Sequence, residues 1–351
     1  KPTVEKKVYD NFDNQDGTST GDFGSSADHA INEKFQFQLI AKLPASKDNG
    51  RAYDYYDKYT VCFNDTLSAG ITFDNLDTVK IANVDGDNSK EITNYKFDDT
   101  DLHEAGHPTS FKLSIDDVKT CAAAAGLNLN DGATITVTYT AHLNDNAAVN
   151  STSGPTDNKN KVQLQYSNNP RNSAYWGFTP ESEVRVYTYQ LNNTKYRDDD
   201  TTGNELAGAG FRLYSDKDCT EEQEVKLYKK DNFYYPIKDA TDKAQDAVEM
   251  FSDEHGQFNV KGLDAGTYYL KEITPPDGYS ACKVIPVTIK ADHSRNDQVN
   301  LEGSNLTNDI VNIKAGGITL PSTGGIGTTL FYVVGGGLMV AAIVLLVTKK
   351  R

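Results

Sequence analysis

The stretch Asn160-Lys161-Val162-Gln163-Leu164-Gln165-Tyr166 alternates polar and apolar side chains without a break. Side chains on an extended strand point to opposite faces with period two, so Val162, Leu164 and Tyr166 share one face, and Asn160 shares it with them. The pattern predicts a half-buried strand, since an amphipathic helix would repeat every three to four residues. The same alternation recurs at Val4–Val8, Phe35–Leu39, Val61–Asp65, Ile135–Tyr139 and Val184–Tyr189. A second set follows at Gly210–Tyr214, Gln257–Val260, Thr267–Leu270, Val284–Ile289 and Ile310–Ile313. Clusters of Gly, Asn, Asp and Pro separate these runs, as in a β-sandwich. The expectation is all-β: two tandem immunoglobulin-like sandwiches, split near Tyr187–Leu191. One short helix is expected over Ile115–Ala125, with Ser114 as its cap. Asp10–Asp28, Asn144–Asn160 and Arg197–Asn204 read as polar, Asp-rich loops.

Composition narrows the class. The 351 residues carry 35 Lys+Arg against 50 Asp+Glu, a net charge of −15. A surface that neutralises phosphates needs clustered Lys and Arg, so nucleic acid is excluded as a partner. Apolar residues are scattered except at the C-terminus, where Ala315–Thr348 runs without a charge and ends in Lys349, Lys350 and Arg351. A spanning helix needs about 20 apolar residues, which 328–348 supplies, and the basic tail 349–351 is a positive-inside signal. The rest of the chain is expected outside the membrane. Lys1-Pro2-Thr3-Val4 opens without Met or an apolar leader, so a further N-terminal segment is expected. Cys62 and Cys121 fall in the first predicted domain, Cys219 and Cys282 in the second. Four cysteines allow three pairings, and an extracellular setting permits disulfides within each domain as well as free thiols.

Two metal-like patterns fail on local chemistry. His103-Glu104-Ala105-Gly106-His107 has the spacing of a zinc-protease helix, which needs both histidines on one helical face. Gly106 lies inside it and Pro108 follows, which breaks that helix and predicts a polar loop. A surface metalloprotease is therefore the weakest function class. Asp16-Gly17-Thr18-Ser19-Thr20 resembles an adhesion-domain metal motif, but no alternating βα pattern surrounds it. Asp10, Asp13 and Asp16 could bind calcium adventitiously, but they do not have the spacing of an EF-hand loop, and a solvated loop is the default. No metal and no cofactor are expected.

Three inward-facing polar residues stand out in the first domain. Lys6 alternates with Val4 and Val8, Asp65 with Val61, Phe63 and Leu67, and Asn160 with Val162, Leu164 and Tyr166. Each would point into an apolar core, where an unpaired charge is costly. Burial lowers a Lys pKa and raises that of a carboxyl, which favours attack by a neutral amine on the Asn carboxamide; the other reading is a buried Lys6–Asp65 salt bridge with the Asn merely hydrogen-bonded. Lys7 alternates outward. Asn158 is the rival amide to Asn160.

Leu320-Pro321-Ser322-Thr323-Gly324, followed by the apolar span and the basic tail, matches the LPxTG cell-wall sorting signal of Gram-positive surface proteins. Tyr268-Tyr269-Leu270-Lys271-Glu272, running on to Gly278-Tyr279, resembles the E-box of Cna-B-type pilin and adhesin-stalk domains. Leu191–Asp198 with Glu205–Phe211 resembles that family's first strand and following turn, and Ile310–Lys314 its last strand. Residues Lys1–Val8, Tyr59–Phe73 and Asn160–Pro170 resemble the middle domain of a sortase-assembled backbone pilin.

The resemblance implies a middle domain over 1–188, a Cna-B-type domain over 189–315 and a sorting signal over 316–351. It also implies two self-formed isopeptide bonds, Lys6–Asn160 assisted by Asp65 and Lys195–Asn312 assisted by Glu272. Asn308 is the rival to Asn312. A sortase would cut between Thr323 and Gly324, with Leu320 and Pro321 in its recognition motif. The implied function is a structural subunit of a covalently polymerised pilus on a Gram-positive cell wall, supporting adhesion. It would be no enzyme beyond its single-turnover cross-linking. The implied partners are sortase, neighbouring pilin subunits, a peptidoglycan precursor and an unidentified host-surface ligand. The alternative is a non-polymerising, cell-wall-anchored adhesin stalk. The family's pilin motif is absent; Tyr235-Pro236-Ile237-Lys238 is a faint echo of it.

Overall fold

The computed structural model describes residues 1–11, 21–103, 106–200, 202–242, 245–295 and 298–315. Up to Tyr187 two sheets face each other. In one, the strands lie in the order Asp22–Gly24, Thr3–Asp10, Lys34–Leu43, Ala133–Leu143, Ile71–Ala82 and Lys90–Glu91. In the other, the order is Ser26–Asp28, Ser182–Tyr187, Lys159–Ser167, Val61–Leu67, Thr109–Ile115 and Lys96–Asp98, with Trp176–Phe178 also on Lys159–Ser167. Alternation decides which side chains meet between them: Phe37, Leu39, Phe63, Phe111, Leu113, Val137 and Leu164 are buried in one core.

From Tyr189 a second pair of sheets begins. One runs Leu227–Lys230, Phe233–Pro236, Asn259–Leu263, Tyr189–Arg197 and Thr307–Asn312. The other runs Glu224–Val225, Gly210–Tyr214, Gly266–Thr274 and Ile285–Ile289, with Met250–Phe251 on Gly210–Tyr214. Phe211, Phe258, Val260, Leu270 and Val287 fill the space between. Tyr189–Arg197 and Thr307–Asn312 pair in parallel, with Lys195 beside Ile310 and Arg197 beside Asn312.

Several details depart from the sequence reading. The expected single strand Val184–Tyr189 breaks at the fully buried Thr188, where the chain leaves one sheet and enters another. The helix is shorter than Ile115–Ala125, spanning Val118–Ala124. Ile115 ends a strand, and Asp117 caps the helix by accepting from the Lys119 N–H. The expected loop Asp10–Asp28 contains two short strands, and both its end residues are buried. Residues 12–20, with the Asp16–Thr20 pattern, lie outside the described residues, as do 316–351 with the whole sorting signal and the expected membrane helix. Among the described residues no helix is long and apolar enough to cross a membrane.

The four cysteines are free thiols, which corrects the disulfide option for Cys62, Cys121, Cys219 and Cys282. Each is set in its own surroundings. Cys62 lies on a strand and accepts from Ser114 Oγ at 3.2 Å, while Cys121 sits on the helix. Cys219 occupies a turn at φ 51°. The Cys282 backbone is tied to Glu272.

The two sandwiches touch. Ile31 N–H donates to Gly262 O at 2.9 Å, and Gly154 and Val299 exchange two backbone hydrogen bonds. Asn32, held at φ 69°, donates its side-chain amide to Pro236 O at 3.0 Å.

Candidate functional site

Lys6 comes from the first sheet, and Asp65 and Asn160 from the facing one. All three are buried. The Lys6 ammonium is ion-paired with Asp65 Oδ2 and donates to Tyr139 Oη at 3.1 Å. Tyr139 in turn donates to Asp65 Oδ1 at 3.1 Å and accepts from Asn160 Nδ2 at 2.5 Å. Its hydroxyl therefore links the amine, the acid and the amide. Asn160 Oδ1 is buried without a hydrogen-bond partner, an arrangement that ordinarily costs about 1–3 kcal/mol. The rings of Phe37 and Tyr139 lie 5.4 and 5.3 Å from Lys6 Nζ and exclude water. Burial pulls Lys6 down from 10.5 to about 8, against the opposing pull of Asp65. The same burial holds Asp65 above the usual carboxylate range, although Lys6 acts the other way. Both shifts favour the neutral amine and neutral acid.

In the second sandwich, Lys195 Nζ donates to Asn312 Oδ1 at 2.5 Å, and Asn312 Nδ2 donates to Glu272 Oε1 at 2.8 Å. Glu272 Oε1 lies 3.7 Å from Lys195 Nζ. Its other oxygen accepts from the Cys282 N–H at 2.7 Å. Lys195 and Glu272 side chains are fully enclosed, and the Phe211 ring lies 5.4 Å from Lys195 Nζ. Desolvation lowers the Lys195 pKa and pushes the Cys282 thiol up to about 12. Lys195 sits on the first strand of this sandwich and Asn312 on the last. Gly256 packs against that lysine: a Cβ there would lie 2.4 Å from Lys195 O, and its φ is +72°.

The rival residues stand elsewhere. Lys7 pairs loosely with Glu5 at 3.7 Å on the outer face. Asn158 closes a turn, accepting from Ala148 N–H at 2.8 Å and donating to Ala148 O at 2.7 Å. Asn308 donates to Asn193 Oδ1 at 3.1 Å. His103 ends a short 3₁₀ turn, Thr100–His103, and His107 Nδ1 lies 2.7 Å from Pro108 O. No α-helix carries the pair among the described residues.

Sequence reasoning missed the parts played by the Tyr139 hydroxyl and the Cys282 backbone N–H. A signal existed for Tyr139: it shares the inward face of Ile135 and Val137, and a buried phenol needs a hydrogen-bond partner. Cys282 acts through its backbone N–H, which leaves no mark in the sequence.

Residues 192–304 match the SpaA family, a prealbumin-like fold domain. Residues 312–351 match the LPXTG cell wall anchor motif of Gram-positive proteins. A comparison with curated proteins finds no match. Among solved structures, the chain resembles the 35 kDa C-terminal fragment of the major pilin GBS80 of Streptococcus agalactiae. The TM-score is 0.59 at 19% identity, covering 89% of this chain and 99% of that one. It also resembles the group B streptococcus pilus 2b backbone protein, with a TM-score of 0.52 at 21% identity over 82% and 95%. The T6 backbone pilin of Streptococcus pyogenes aligns with a TM-score of 0.54 at 18% identity over 90% and 70%. The chain thus carries the fold of the major pilins, includes a SpaA-type domain and ends in an LPXTG anchor, which makes it a cell-wall-anchored surface protein of the Gram-positive kind.

Proposed function

We propose that the chain is a structural subunit of a covalently polymerised surface pilus, with each sandwich locked by an isopeptide bond it forms itself. The observation that carries this reading is the pair of buried Lys–acid–Asn sets, one in each sandwich. In each, the lysine lone pair attacks Cγ of the asparagine, the new C–N bond forms, the Cγ–Nδ2 bond breaks and ammonia leaves. The proton shed by Nζ passes through the neighbouring carboxyl to the departing nitrogen. The fold supplies the proximity, so the reaction runs once and needs no turnover.

Mechanical consequence follows from strand order. Lys195 and Asn312 lie on the first and last strands of their sandwich, so a pull along the chain would pass through the bond and spare the hydrogen-bonded strands between. Lys6 lies on the first long strand of its sandwich, and Asn160 on a strand close to the exit at Tyr187. A cross-link closing the 117-residue separation between Lys195 and Asn312 removes about 5 kcal/mol of unfolded-chain entropy. Sortase would join the chain, through Thr323, to a neighbouring subunit or a peptidoglycan precursor.

Two measurements test the reading. The intact mass of the protein should fall below that of its sequence by two ammonias, about 34 Da for two acyl transfers from amide to amine; an unmodified mass overturns both bonds. Cell-wall extracts should show a high-molecular-weight ladder. A single anchored band overturns polymerisation and favours a stalk that stands alone.

A further inference from the structure

Where the sandwiches meet, Asp10, Asp28 and His293 converge. Asp10 ends the first long strand, Asp28 ends the short strand Ser26–Asp28, and His293 comes from the strand Asp292–Arg295 of the second sandwich. Both carboxylates are buried, and one oxygen of each and the imidazole Nε2 lie within 4.8 Å of one another. Nε2 is 3.4 Å from Asp10 Oδ2 and 3.6 Å from Asp28 Oδ1.

These are ion-pair separations, longer than good hydrogen bonds of about 2.7–3.2 Å. They match the edge of a tetrahedron: ligand bonds of about 2.0–2.2 Å place ligand atoms about 3.3–3.6 Å apart. Asp10 Oδ1 is a buried oxygen without a hydrogen-bond partner. Two buried carboxylates thus face one imidazole nitrogen.

The surroundings hold the three groups in place. Ser26 Oγ is 2.8 Å from His293 Nδ1 and donates to His293 O at 2.9 Å. This fixes the ring and directs Nε2 toward the carboxylates, the usual support of a metal-bound histidine. Tyr189 Oη donates to Asp28 Oδ2 at 2.8 Å, leaving Oδ1 to face Nε2. The nearby trio His29, Glu33 and Asp264 differs: His29 Nε2 is taken up by Tyr9 O at 2.7 Å, and Glu33 also accepts from the Ala30 N–H at 3.1 Å.

We propose that Asp10, Asp28 and His293 form a binding site for a divalent transition-metal ion, with Zn²⁺ the best fit, that pins the two sandwiches together. One imidazole and two carboxylates suit a first-row ion with an open fourth position. Ca²⁺ favours six to eight oxygens, and Mg²⁺ an octahedral oxygen shell. The ion would join residues 10 and 28 to residue 293 and stiffen the junction.

The test uses the full chain in detergent, free of any affinity tag and stripped with chelator. Titration with ZnCl₂ in a calorimeter should show one equivalent bound, and Zn²⁺ should raise the unfolding temperature because it binds the native state alone. Replacing a ligand should weaken binding at least tenfold, given that even a supporting residue is worth 10–100-fold. His293→Ala and the near-isosteric Asp10→Asn should both do so. The double variant His103→Ala/His107→Ala should bind as the parent does. Absence of saturable binding, affinity unchanged by both ligand variants, loss of binding in the His103/His107 variant, or a preference for Ca²⁺ would each overturn the proposal.

Discussion

Glu272→Ala isolates the second cross-link. The substitution removes the carboxylate that receives Asn312 Nδ2 at 2.8 Å and the Cys282 N–H at 2.7 Å, and with it the proton carrier beside Lys195. The bond should fail to form while the first one does, so the intact mass should fall short by one ammonia, about 17 Da. The energetic loss has two parts. The 117-residue separation is no longer closed, at about 5 kcal/mol. The two orphaned donors add roughly 1–3 kcal/mol each. At about 4 °C per kcal/mol for a domain of this size, the cross-link alone moves the second sandwich's unfolding midpoint down by roughly 20 °C. Differential scanning calorimetry alongside mass spectrometry reads both quantities on one sample. If the variant still loses two ammonias, Glu272 has no part in the chemistry. If it loses one and its midpoint stays put, the bond carries none of the stability assigned to it.

Other perturbations address the first sandwich and the junction. Asn160→Ala preserves Lys6 and Asp65 without their amide. Because Lys6 titrates near 8 in the fold and near 10.5 when unfolded, the unfolded chain binds more protons between those values. Stability should therefore rise with pH across that window, by up to about 3 kcal/mol, and denaturant titrations should show no such rise once Lys6→Met is added. Tyr139→Phe removes the hydroxyl that holds Asn160 Nδ2. A time course of intact mass should show the first bond forming more slowly, with a population one ammonia short, while the second is unaffected. Gly262→Ala would put a Cβ 2.4 Å from Ile31 Cγ1 at a φ of +87°. Overpacking of this kind ordinarily costs about 1–3 kcal/mol, and hydrogen exchange should show the Ile31 amide, bonded to Gly262 O, losing protection.

Period-two alternation carried most of the fold, because in a sandwich the inward face of each strand must be apolar. The same rule located Lys6, Asp65 and Asn160, since a charged or amide side chain in an inward position is conspicuous against Val, Leu and Phe. It worked less well where strands are short. Asp22–Gly24 and Ser26–Asp28 have too few residues to alternate, and their pairing depends on neighbours far along the chain. The helix boundary slipped for a related reason: Ile115 belongs to a strand whose partner is Val61, a contact that local propensity does not record.

By itself, then, the sequence determined two β-sandwiches, the inward Lys6, Asp65 and Asn160, and an anchor motif, because these depend on periodicity or on contiguous residues; Lys195, Glu272 and Asn312 were legible only through the family resemblance. Tertiary structure alone decided the rest. It brought Tyr139 between Lys6, Asp65 and Asn160, placed the Cys282 N–H on Glu272, and left the four thiols free. It also drew His293 to Asp10 and Asp28 across more than 260 positions of sequence. Such groupings arise from how sheets stack and how two sandwiches dock, and no local pattern encodes a neighbour contributed by the opposite sheet or the next domain.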